Sequence, residues 1–161
     1  MRKIDKKIKI LKAILIIIWM IIIFIFSGQQ GAESGNTSRK FTVTIIQIVS
    51  GKSLALDDPF VEGIQLVIRK MAHFTIYAVG GFLIMNYLFT TEQTMKHKIL
   101  YSIAIGGGYA ITDEIHQFFV PGRSAQILDV GIDTAGVITG IIIYLVLIKI
   151  LRILTNHTKV F

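Results

Sequence analysis

The sequence predicts an all-α, polytopic membrane protein. Four transmembrane helices are expected, with both termini cytoplasmic and short interfacial helices in the connection between residues 28 and 70. Three observations carry that expectation. The 161 residues are 53% hydrophobic with a mean hydropathy of +0.66, more apolar than a soluble domain of this length. The apolar residues gather into runs close to the ~20 residues that cross a bilayer. The basic residues flank those runs, as topology and lipid-headgroup signals do.

The elements follow in order as one domain, 1–161, with spans near 9–27, 70–89, 99–120 and 129–149. Arg2, Lys3, Lys6, Lys7, Lys9 and Lys12 precede an apolar run from Ala13 to Phe26. Lys9 and Lys12 can reach the headgroups from inside the span. The run is long and SGQQGAES offers no A-x-A cleavage site, so a retained anchor helix is expected rather than a signal peptide. In the long polar connection, Thr37 or Ser38 is a candidate cap for a short helix through Phe41, Ile45 and Ile48, lying in the interface. Asp57, Asp58 and Pro59 form the cap and first turn of the next helix. Met71 to Phe89 is the second span and Ile99 to Val120 the third, ended by Pro121-Gly122. Asp129 to Ile148 is the fourth.

Four spans alternate in direction. With the N-terminus inside, the inner segments hold eleven of the 17 Lys and Arg but only two acids, Asp5 and Glu92. That split is a positive-inside signal. The net charge of +7 is thereby accounted for without nucleic acid, for which no basic patch interleaved with aromatics exists. With no cysteine, disulfide and thiolate chemistry are excluded.

This topology gathers the polar residues. His73, Asp113 to Gln117, Arg123, Asp129 and Asp133 all fall at the outer ends of their segments. Ionisable groups at membrane depth are costly and are functional candidates. Asp113, His116 and Gln117 share one helix face by spacing, and Arg69, His73 and Tyr77 form another row. Asp129, Asp133, Gly136 and Gly140 lie on one stripe whose lower part permits close helix approach, so the two aspartates are expected to face the bundle. Asp113 is placed to orient either His116 or His73. Arg123 follows Pro-Gly, where its fork suits a phosphate.

Each of these residues has a plainer reading. His73 is a base, nucleophile or ligand, or else a helix-end histidine bonded to a carbonyl. Asp113, Glu114 and His116 are catalytic, or pair with Arg123 and Lys70. Tyr77 is a hydroxyl donor to the site or an interface anchor. Asp133 and the glycines read as packing features, and His97 and His157 are assigned nothing. No short metal motif is present, so no metal ligand is assigned; a divalent cation through His73, His116 and a carboxylate is the lesser reading.

IRKMAHFTIYAVGG (68–81) and DEIHQFFVPGRSAQILDVGIDTAG (113–136) resemble the signature blocks of the VanZ-like family of bacterial membrane proteins. FSGQQGAES (26–34) resembles that family's first block. Order and spacing fit over most of the chain; the tails and the stretch around 40–60 carry little motif. The resemblance implies a small plasma-membrane protein associated with teicoplanin-type glycopeptide resistance. Its motif positions fall here on His73, Asp113, Glu114, His116, Gln117, Arg123 and Asp129. It also implies, by grouping, action on lipid head groups. The expected catalytic set is therefore His73, Asp113, Glu114 and His116. Gln117, Arg123, Asp129, Tyr77 and Lys70 are expected to bind a membrane lipid or lipid-linked cell-wall precursor. The alternative is a non-catalytic protein that binds or shields precursor or antibiotic. A proton-coupled transporter fits less well, because the inner halves of the spans are nearly bare of charge.

Overall fold

The computed structural model describes residues 3–157. Arg2 and Lys159, two of the basic residues behind the topology expectation, lie outside the described residues. Within them the chain is all-helical, with no strand: α1 (Lys3–Ser27), α2 (Gly31–Ser50), α3 (Pro59–Leu88), α4 (Met95–Phe118) and α5 (Ile127–His157). Three helices are long and apolar enough to cross a membrane, over Lys6–Ser27, Pro59–Leu88 and Ile127–Thr155. The 24 residues of α4 reach about 36 Å at 1.5 Å per residue, which is sufficient length. Its composition sets it apart: lysines at one end, a glycine triplet in the middle and acids at the other end dilute its apolar content.

The polar connection differs from the expectation of short helices. α2 is a single 20-residue helix that begins at Gly31. Thr37 and Ser38 lie inside it and cap nothing. The Thr37 hydroxyl instead donates back to the Glu33 carbonyl at 3.0 Å. Gln30 precedes the helix without a side-chain cap, and Gly51, at φ 71°, ends it by donating its N–H to the Gln47 carbonyl. Only glycine takes that left-handed conformation at little cost. α3 then starts at Pro59, well before the expected span, with the Asp58 carboxylate accepting the Phe60 N–H at 2.8 Å. That cap and the proline at the helix start are the ones the sequence indicates.

α3 and α5 are the most extensively paired helices. Glycines make this closeness feasible. A Cβ added at Gly140 would stand 1.8 Å from the Ala78 carbonyl oxygen, and one at Gly136 would stand 2.3 Å from that of Phe74. Among the described residues, the buried side chains of α1 are Trp19, Ile23 and Ser27, at the i, i+4, i+8 spacing of one helix face, with Ile16 and Met20 packed beside them. The Trp19 ring fills the notch left by Gly80 and donates its indole N–H to the Ile76 carbonyl at 2.8 Å. Ile14, Ile17, Ile18, Ile21 and Ile22 face outward, exposed and apolar. An exposed apolar surface of this extent is compatible with a helix that crosses a membrane. Above the Trp19–Tyr77–Val137 core lies the polar end of the bundle.

Candidate functional site

Each side chain of the site is set by helix register. The row Arg69, His73, Tyr77 runs along one face of α3. Asp113, Glu114 and Gln117 occupy the last turns of α4 and are buried there. Asp129 and Asp133 lie one turn apart at the start of α5 and complete the group. The loop between α4 and α5 turns through Gly122 at φ 75° and is fastened to α2 by the Gly31 N–H, which donates to the Pro121 carbonyl at 3.0 Å.

Two polar chains cross the site. In the first, Asp113 Oδ2 accepts from Gln117 Nε2 at 3.1 Å, and Gln117 Oε1 accepts from Arg123 Nη1 at 3.2 Å. Arg123 also donates through Nε to the Gln29 carbonyl at 3.1 Å and through Nη2 to the Phe26 carbonyl at 3.0 Å. All three of its nitrogens are engaged, so the residue expected to fork a phosphate first ties the loop to the end of α1. Burial, and then the charge of Arg69, hold its guanidinium below its usual value, while Asp113 and Glu114 oppose the shift. In the second chain, Lys70 pairs with Asp129, and His73 Nδ1 lies 3.7 Å from Asp133 Oδ2. That is an ion-pair distance for a protonated imidazole and too long for a hydrogen bond. Glu114 accepts the Gln126 backbone N–H.

His73, Asp113 and Asp133 come together, each offering a ligand atom within 4.8 Å of the others. His116 does not join them. It stacks on Phe24, ring centroids 4.3 Å apart and planes within 8°, and its Nδ1 is buried without a partner. Helical spacing puts His116 near Asp113, but the ring swings to α1, where Phe24 offers a flat apolar face. Tyr77 is fully buried under the cluster, and its hydroxyl makes no hydrogen bond.

Two cavities meet here. A polar pocket of about 100 Å³ is lined by Arg69, Lys70, His73, Arg123, Asp129 and Asp133, among others. A larger groove of about 420 Å³ has walls that include Ile23, Phe26, Phe41, Ile68, Ala72 and Ile76. Arg69, His73 and Arg123 line both. The VanZ/LLP1 family model matches residues 12–149, which takes in every part of this site. The chain belongs to the VanZ/LLP1 family. No curated protein and no solved structure matches it.

Within this VanZ/LLP1 protein, two residues have a larger place in the site than the sequence assigned. Asp133, expected to serve packing, is the acid facing His73. Its signal was its position one helical turn after Asp129. Arg69 lines both cavities and makes no hydrogen bond or ion pair among the described residues, which leaves its fork open to a ligand. Its signal was the i, i+4 step to His73.

Proposed function

We propose that this VanZ/LLP1 protein acts on the phosphate-bearing head group of a membrane lipid or lipid-linked cell-wall precursor, at the outer face of the plasma membrane. The supporting observation is the joint lining of a polar pocket and an apolar groove by Arg69, His73 and Arg123. An amphipathic ligand needs both: cationic donors for an anionic head and an apolar trough for the attached chain. Arg69 is the first choice for the phosphate. Arg123 retains the second hydrogen on each terminal nitrogen for the same purpose. His73, facing Asp133, is the imidazole placed to handle a proton at the reacting ester.

In this reading α4 is the fourth span, both termini are cytoplasmic, and the site faces outward. The positive-inside distribution supports that orientation. A lipid-linked precursor is also what ties the reading to glycopeptide resistance, since such antibiotics meet cell-wall precursors outside the membrane. The groove is larger than the polar pocket, which favours a second reading in which the protein holds a lipid chain without turning it over.

The test is to reconstitute the purified protein in vesicles containing a labelled phospholipid or polyprenyl-phosphate precursor, and to follow binding and product together. Product formation that falls with Arg69→Ala and His73→Ala supports the enzyme. Saturable binding without product supports the holder. Neither binding nor product across both lipid classes, with folded protein, overturns the proposal.

A further inference from the structure

The His73 cluster leaves charge unaccounted for. Of the acids at this end of the bundle, Asp129 has Lys70, and Glu114 has the Gln126 N–H. Asp113 has Gln117 on one oxygen only. Asp113 and Asp133 are 3% and 1% exposed, and on each the Oδ1 atom is buried without any hydrogen-bond partner. Neither carboxylate has a lysine or arginine in ion-pair contact among the described residues. Two carboxylates buried side by side repel each other, and a low-dielectric surrounding magnifies the cost. The His73 imidazole, 3.7 Å from Asp133, can offset at most one of the two charges, so a further positive charge between them would complete the balance.

A proton on one carboxylate would relieve part of this repulsion, but it would not account for the convergence of two further groups. His73 presents a ring nitrogen to the same point, within 4.8 Å of the two carboxylate ligand atoms. The Tyr77 hydroxyl, wholly buried, is directed at Asp113 and lies within electrostatic reach of Asp133 as well. These groups come from three helices, α3, α4 and α5, so no local sequence effect assembles them.

We propose that His73, Asp113 and Asp133 form a binding site for one divalent cation of the Zn2+ or Mn2+ type. One imidazole and two carboxylates are a nitrogen–oxygen donor set that suits these ions. Ligand atoms about 2.1 Å from a common ion lie at most ~4.2 Å apart, and about 3.4 Å apart at a tetrahedral angle, so the widest pair must close by at least about half an ångström. His73 and Asp133 line the polar pocket, which gives the ion its entry path and leaves coordination positions open toward Arg69. Tyr77 lies beneath as a hydroxyl partner for a coordinated carboxylate, the kind of outer contact that orients metal ligands. The existence of the ion site does not need the lipid reading. Its role does rest on that reading: the ion would place positive charge where a phosphate oxygen arrives, and His73 would then serve as ligand rather than base.

The test uses the full chain in detergent micelles, stripped with chelator and titrated with Mn2+ alone under electron paramagnetic resonance. Expected is saturable binding of one ion per chain, with nitrogen coupling from a single imidazole. His73→Ala should abolish the nitrogen coupling. Asp133→Asn, which preserves side-chain shape, should weaken the affinity by at least ~10-fold. Asp57→Asn, in the polar connection away from the site, should change neither. Circular dichroism establishes that each variant is folded. Absence of saturable binding by folded wild type overturns the proposal, as does coupling that persists in His73→Ala or an unchanged affinity in Asp133→Asn. Because no lipid is present, ion binding and lipid turnover fail independently.

Discussion

Replacing Gly140 by alanine isolates what holds α5 against α3. Two effects oppose each other. Alanine in a helix interior is favoured over glycine by roughly 0.5–1 kcal/mol, because less backbone freedom is lost on ordering. Against this, the new Cβ would stand 1.8 Å from the Ala78 carbonyl oxygen and 2.8 Å from the Phe82 backbone nitrogen. These are backbone atoms and cannot rotate away, so the helices must separate. Overpacking of this kind costs ~1–3 kcal/mol, and contact with backbone belongs at the upper end. Gly140→Ala is therefore expected to destabilise by about 2 kcal/mol net. Gly131, in the same helix, has nothing within 4 Å of its would-be Cβ. Gly131→Ala keeps the favourable effect alone and should stabilise by about 0.5–1 kcal/mol. The assay is reversible unfolding of the purified chain in mixed detergent micelles, followed by helical circular dichroism, for wild type and both variants. The two substitutions should move stability in opposite directions, separated by about 2–3 kcal/mol. If Gly140→Ala is as stable as Gly131→Ala, then α3 and α5 do not approach this closely and the reasoning fails.

Further expectations concern the loop and the topology. Gln117→Leu removes the side chain that links Asp113 to Arg123. It should cost about 1–3 kcal/mol, as for a buried polar group left unpaired, and should speed proteolysis within residues 119–126; an unchanged cleavage rate would count against the Arg123 lock. The chain has no cysteine, so single-cysteine variants report sidedness without background. Ser124→Cys should react with a membrane-impermeant maleimide on intact cells, and Thr91→Cys only after lysis; the reverse pattern would turn the site toward the cytoplasm.

Much of this organisation is legible in the sequence because period and charge are read directly. The apolar runs give α1, α3 and α5. The Asp58-Pro59 pair gives the start of a helix, and the Gly136–Gly140 spacing gives a close contact. What the sequence hid depends on rotation about single bonds and on three-dimensional neighbours. Thr37 and Ser38 look like caps, yet helix continues through Gly35 and Asn36 because α2 is held against α3, and such packing overrides local propensity. His116 shares a helix face with Asp113 by spacing, but one side-chain torsion sends its ring to Phe24 on α1, a residue 92 positions earlier. Asp133 looked like packing because its partner His73 lies on another helix. Arg69 was legible as part of a row, but its open guanidinium could be seen only once Arg123 was found to be tied down.

The packing and the site are one construction. Gly136 lies three residues after Asp133 and touches α3 at the carbonyl of Phe74, the residue following His73. The contact that needs glycine is therefore at the level of the imidazole–carboxylate pair. Moving α5 off α3 there by even the width of a methyl group would carry Asp133 away from His73, whose atoms are already 3.7 Å apart. Gly140, one turn deeper, holds the same two helices from below. A Gly-xxx-Gly stripe in a membrane helix is ordinarily a means of association. Here it also fixes the distance between two ionisable side chains that no hydrogen bond joins. That explains why the polar residues lie at the end of the closest helix pair and not along α1, whose sparse contacts could not hold them in register.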